Sequence, residues 1–157
     1  HQDAIMRTDS VVSTIQTEGI ILEKLSYQFA NWNRGQAENK MTQLINRYGT
    51  DIELVISNND EMALGAAAAY DALGYPQESR PVILGIDGLD SALEAVKKGY
   101  IQGTVYNDKE GQASRISGLA LNLFRGEVLP DSDFENGRYI FLPYHKVTAD
   151  NVDEFLK

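Results

Sequence analysis

The sequence predicts an α/β fold: a doubly wound, mostly parallel sheet whose strands are joined by helices. Two observations carry this. Short apolar, β-branched runs alternate with stretches of helical periodicity along almost the whole chain, and nearly every helical stretch is closed by a glycine. Strands separated by helices of this length imply βαβ crossovers, which place neighbouring strands parallel. At 157 residues and 43% hydrophobic, the chain has enough apolar side chain for one ordinary core.

In chain order, Ile5, Met6, Val11, Val12 and Ile15 predict an amphipathic helix over residues 2–18. The run 19–25, Gly-Ile-Ile-Leu-Glu-Lys-Leu, reads as a strand. Met41, Leu44, Ile45 and Tyr48 predict a helix over 35–48 with Gly49 beyond its end, and 52–57 reads as the next strand. Asn58, Asn59 and Asp60 offer an N-cap for a helix running to Leu73, which Gly74 and Pro76 close. A strand over 81–86, a helix from about Asp90 to Gly99 and a strand over 101–106 follow. A helix over 109–125 stops at Gly126, and a last strand at 138–147 leads to a short helix at 151–155. The loop 126–138, with Pro130, Asp131, Ser132, Asp133 and Asn136, reads as a flexible connection. The run Ala66–Ala69 is small enough to let its helix sit close on a sheet.

Composition excludes several functions. With 14 Lys plus Arg against 23 Asp plus Glu, the formal charge of −9 opposes a phosphate backbone, so nucleic acid is not an expected partner. The absence of cysteine rules out disulfides and thiolate chemistry. No run reaches the roughly 18 apolar residues that span a bilayer. The start, His1-Gln2-Asp3, lacks the regions of a secretory signal and enters a helix without a cap, which reads as the interior of a longer chain. Strands missing upstream would leave an apolar edge open to self-association.

In sheets of this kind ligands bind beyond the carboxyl ends of the strands. Three strands end in similar polar groups, Ser57-Asn58-Asn59-Asp60, Asp87-Gly88 and Asn107-Asp108. Each alone is explained by capping or a turn. Together they offer the mixed donors and acceptors that a sugar's hydroxyls require. Asp3 and Arg7 lie one helical turn apart, either as an exposed ion pair or as a carboxylate and a guanidinium fork for ligand hydroxyls. Trp32, the single tryptophan, stands among Asn31, Asn33 and Arg34, a setting better suited to a ring stacked on a ligand than to a core. An enzyme is not expected. His1, Asp3 and Asp87 are the nearest approach to an acid/base set, there is no G-x-S-x-G or phosphate-cradling loop, and His1 and His145 have no metal-ligand spacing. His145 reads as an exposed residue on the last strand.

In order and spacing, His1-Gln2-Asp3-Ala4 with Arg7, Trp32 through Gln36-Ala37, Val55 through Asp60 with Met62-Ala63-Leu64-Gly65, Gly85-Ile86-Asp87 and Gly103 through Asp108 resemble the galactose/glucose-binding proteins of bacterial ABC transport and chemotaxis. The resemblance extends over essentially the whole chain. It implies that His1, Asp3, Arg7, Asn59, Asp87 and Asn107 hydrogen-bond a hexose, glucose or galactose, and that Trp32 stacks on it. It implies a periplasmic or extracellular setting, as a lipoprotein in a Gram-positive organism, and a membrane permease as partner. It implies two lobes, so that 1–106 forms most of the carboxyl-terminal lobe, 107–136 a hinge crossover and helix of the amino-terminal lobe, and 137–157 a return to the first. The missing amino-terminal part would then be a partner of this chain. No cofactor is required. Glu53 corresponds to a calcium-binding carboxylate whose companions lie in an upstream loop, and since one carboxylate cannot supply the six to eight oxygens calcium takes, the ion is an expectation for the full-length protein alone. The rival reading on the same fold is the effector-binding domain of a lac-repressor-type transcription regulator, whose DNA-binding headpiece would also lie upstream. A third is a helix-and-sheet domain whose partner is another protein.

Overall fold

A computed structural model describes residues 1–127 and 134–156. The elements are α1 (Gln2–Thr17), α2 (Arg34–Tyr48), β1 (Leu54–Ile56), α3 (Asp60–Ala72), β2 (Val82–Asp87), α4 (Asp90–Lys97), β3 (Gly103–Asn107), α5 (Lys109–Arg125) and β4 (Tyr144–Thr148). The four strands form one sheet in the order β1-β2-β3-β4. The first three are parallel and β4 runs antiparallel to β3, so the chain has the α/β, mostly parallel architecture its pattern predicts.

Local chemistry sets the helix ends. The Asn33, Asn59 and Asp108 side chains accept from Gln36 N, Met62 N and Gly111 N at the starts of α2, α3 and α5, satisfying amide groups that no preceding turn can reach. Gly126 takes the left-handed conformation (φ 70°) that closes α5. The core lies between α2, α3, α4 and the sheet. Ala63, Ile83, Ala92, Leu93 and Ile101 are fully shielded from solvent, each large side chain contributing about 1.5–3 kcal/mol by leaving water. A Cβ on Gly65 would meet the Arg34 carbonyl at 2.2 Å, so α2 and α3 approach almost backbone to backbone. Ala66, Ala67 and Ala69 are buried in the same core.

The strand expected at 19–25 does not form. After Gly19 (φ 80°) the chain is irregular as far as Ala30. β1 pairs only with β2 among the described residues, Ile20 and Ile21 are 55% and 96% exposed, and β-branched residues cannot make a strand without a ladder to join. The strand expected at 138–147 is shortened to Tyr144–Thr148 for the same reason. Its partner β3 ends at Asn107, and the preceding residues make only an isolated bridge, Glu135 to Tyr139. The helix expected at 151–155 is a single 3₁₀ turn, Val152–Glu154, too short to carry α-type hydrogen bonds. The loop reading of 126–138 rests on Pro130, Asp131, Ser132 and Asp133, which lie outside the described residues; within them, Asn136 and Gly137 turn with positive φ.

Candidate functional site

The register of the parallel strands brings their carboxyl ends together. Ile56 lies beside Leu84, Leu84 beside Gly103, and Asp87 beside Tyr106, so Asn58 and Asn59, Asp87, and Asn107 emerge along one edge of the sheet. Helix α1 crosses this edge through Arg7. Its Nη1 donates to the Asn58 carbonyl at 2.6 Å and to Asp87 Oδ1 at 3.4 Å. Arg7 and Asp3 therefore do not pair along the helix. Asp3 instead sits 3.5 Å from His1 Nδ1, both side chains 60% exposed, where an ion pair is screened and weak.

Trp32 joins the same group. The His1 ring meets it edge-on at 5.7 Å, and the Arg7 guanidinium lies 5.8 Å from its centroid, within cation–π range. Asn31 and Trp32 have φ of 50° and 60°, a conformation that side chains with a Cβ adopt at a cost and that clusters at functional sites. The turn is held by Asn33 N donating to Ala30 O at 2.9 Å, by Asn31 Nδ2 donating to Gln36 Oε1 at 2.8 Å, and by Asn59 Nδ2 donating to the Trp32 carbonyl at 3.4 Å. Asn59 is thus both the cap of α3 and a clasp on the tryptophan turn, and its side chain is 7% exposed as a residue.

Asp87 also has an uncommon backbone, φ 129°. Burial raises its carboxyl above the ordinary aspartate value, the charge of Arg7 opposes that rise, Asp60 adds to it, and the hydrogen bond from Arg7 lowers it again. Asn107 closes β3 and accepts from Gln112 Nε2. Of the seven residues expected around a ligand, His1, Asp3, Arg7, Trp32, Asn59 and Asp87 form one linked group. Asn107 stands on the same edge, one residue past the strand partner of Asp87. Glu53 is exposed at the opposite, amino-terminal end of β1, and among the described residues no group of three or more His, Asp or Glu side chains is gathered for a metal.

Two residues at the site were not singled out as sequence candidates. Asn58 holds α1 to the sheet: its carbonyl takes Arg7, and its Nδ2 donates to Ala4 O at 3.2 Å and Thr8 Oγ1 at 2.9 Å. Asp60 is completely buried beneath the site. The Asn-Asn-Asp run marked the place, but capping chemistry alone gave no reason to separate the three.

The arrangement has chemistry suited to binding. A guanidinium, two carboxylates, amides and an indole face can share out the hydroxyls and the apolar C–H face of a polyol. The periplasmic binding protein domain matches residues 1–127. The chain is 36% identical to the D-galactose/methyl-galactoside binding periplasmic protein MglB of Haemophilus influenzae over all of its length and 47% of that protein. It is 39% identical to a putative rhizopine-binding protein of Rhizobium meliloti, over 99% of this chain and 48% of that one. Among solved structures, an ABC transporter solute binding protein from Bacillus halodurans with bound myo-inositol superposes with a TM-score of 0.81 at 34% identity, covering 96% of this chain and 48% of that one. The chain spans about half the length of the curated relatives it matches.

Proposed function

The chain belongs to the periplasmic binding protein domain family, and from that premise we propose that it supplies one wall of the sugar site in the substrate-binding component of an ABC transporter. It is a solute-binding chain and not an enzyme, as its relatives are. The observation that carries the reading is the meeting of Arg7 and Asp87, 80 residues apart in sequence, beside the ring of Trp32. A charged donor, a charged acceptor and an aromatic face converge, half-buried, on one edge of the sheet, the combination a pyranose needs.

The ligand we propose is a hexose such as glucose or galactose, a reading supported by the galactoside-binding relative. A cyclitol is the second reading, favoured by the inositol-bound structure and the rhizopine-binding relative. A hexose has a ring oxygen for Arg7 to bond and a cyclitol has none. In this proposal residues 1–106 and 137–157 belong to one lobe and 107–136 carry the chain into a second lobe. That lobe closes over the sugar, the receptor works in the periplasm or outside the cell, and the closed form docks on a membrane permease. Calcium, through Glu53, belongs to the full-length protein.

Calorimetry of the full-length protein against D-glucose, D-galactose, a pentose and myo-inositol, with and without calcium, tests the reading. Binding of a hexose in preference to myo-inositol is expected, and Trp32→Ala is expected to weaken it by about tenfold or more, the scale of a lost aromatic face. Wild-type affinity in Trp32→Ala removes the stacking role, and no binding of any sugar or cyclitol removes the function.

A further inference from the structure

Asp60 is the first residue of α3 and has no exposed surface. Its Oδ1 accepts the Thr104 hydroxyl at 2.6 Å and its Oδ2 accepts Leu89 N–H at 2.8 Å, with a further hydrogen bond from the Gly88 backbone. One carboxylate therefore ties the β1–α3 junction to the turn after β2 and to β3. Thr104 is itself 3% exposed. β2 passes directly against the group, since a Cβ on Gly85 would lie 2.2 Å from Asp60 Oδ1.

Such a group is costly. Burial raises the Asp60 carboxyl above its ordinary value; the bonds from Thr104, Leu89 and Gly88 lower it, and the nearby Glu61 charge raises it further. Every partner bonded to it is neutral, whereas buried carboxylates are ordinarily paired with a cation. An exposed acid would serve the helix start as well. What the buried acid reaches is the turn that begins at Asp87. There Asp87 has φ 129° and Gly88 φ 73°, two consecutive residues in the left-handed half of backbone space. A Cβ on Gly88 would stand 2.4 Å from Tyr106 Cδ2, so no side chain fits in its place. Strain of this kind persists only where neighbouring groups hold it, and the amides that Asp60 bonds are those immediately following Asp87.

We propose that Asp60 is a positioning residue of the binding site. By fixing the 87–89 turn, it holds the Asp87 carboxylate opposite Arg7 and so sets which ligand hydroxyl the site accepts. The proposal rests on the reading of Asp87 as a sugar-binding residue. It also accounts for glycine at 85 and 88, where a larger residue would displace the carboxylate or the turn.

The test is a double-mutant cycle in the full-length protein, with the affinity for its preferred sugar read by calorimetry. Asp87→Ala alone reports on the underlying reading. Asp60→Asn, which leaves the shape and replaces one acceptor with a donor, is expected to weaken binding by about tenfold in the wild-type background and by less than about twofold in the Asp87→Ala background, because an effect exerted through Asp87 has nothing left to act on. Equal losses in both backgrounds, or wild-type affinity in Asp60→Asn, overturn the positioning role. Wild-type affinity in Asp87→Ala overturns the reading of Asp87 and the proposal with it. Thr104→Val, nearly isosteric and removing only the hydroxyl bond to Oδ1, is expected to show the same non-additivity at about threefold, and it carries the cycle if Asp60→Asn does not fold.

Discussion

The helices of the block formed by α2, α3, α4 and β1–β3 differ in burial from the flanking helices α1 and α5. In the block, seven residues of α3 and four of α4 are buried. Neither α1 nor α5 buries one. Ile5 and Met6 on α1 are 58% and 59% exposed, and Leu123 and Phe124 on α5 are 72% and 88% exposed. Helix α1 is attached through Arg7, Thr8 and the Ala4 carbonyl to Asn58 and Asp87 by polar bonds and through Arg7 to the Trp32 ring, with no buried residue of its own. The difference teaches that the candidate site straddles a boundary in stability. Asn59 and Asp87 stand on the buried block and Trp32 in the turn that leads into it, while His1, Asp3 and Arg7 stand on an element with no buried residue, the kind of element expected to open locally first. A ligand bridging Arg7 and Asp87 would join the two.

The sharpest way to break this comparison is to remove core volume from the block. Leu93 on α4 has no exposed surface. Leu93→Ala is expected to cost about 2–5 kcal/mol in urea unfolding of the chain, the range for a buried leucine whose cavity does not collapse. A loss below about 1 kcal/mol would mean that the block repacks as readily as the flanks, and the distinction would disappear.

The next effect lies on the boundary itself and is read in pH. As the sugar-binding carboxylate we propose, Asp87 would accept ligand hydroxyls fully only when ionised, and burial holds its carboxyl above the ordinary aspartate value of 3.8, against the pull of Arg7. Affinity in the full-length protein should therefore be complete above that raised pKa and fall as pH drops through it, by about tenfold per pH unit at the limit of one proton. The charged groups around Asp87 are Arg7 and the buried Asp60, with His1 and Asp3 further along α1. Asp87→Asn, followed over the same range by calorimetry, should lose this slope. An unchanged slope assigns the proton to one of those neighbours and removes Asp87 from the linkage.

The helices of both regions were legible in the sequence because their signals are local. Asn33, Asn59 and Asp108 cap where short polar side chains precede apolar periodicity, and Gly49, Gly74, Gly99 and Gly126 follow the helix ends with positive φ. The strand residues 19–25 were misread because a strand needs a partner, and β-branched composition says nothing of whether one stands beside it. The site was legible as a set of polar strand ends, but not in its internal division of labour. Asn59 could not be divided between cap and ligand contact, since one amide serves α3 and the Trp32 turn together. Asp60 read only as one member of the Asn58-Asn59-Asp60 capping run. Its partners Leu89 and Thr104 are 29 and 44 residues away, and only tertiary structure brings them to it.

The smallest expected effect tests the other side of the comparison. Phe124 lies in the last turn of α5 and is 88% exposed. In this chain Phe124→Ala should change stability by no more than about 0.5 kcal/mol, as for surface positions with no buried contact to lose. Nearby, Ile116, Leu119, Phe141 and Leu142 line a concavity of about 400 Å³ between α5 and the arm leading to β4, so the helix presents apolar side chains on more than one side. In the full-length protein, where we propose that 107–136 enter a second lobe, the same substitution should cost about 3–5 kcal/mol, the value for a buried phenylalanine. Urea unfolding of the two proteins side by side reads the difference. If it is near zero, α5 stays uncovered in the longer protein, and the division of the chain at 107 and 136 is wrong even if the sugar site on the block is right.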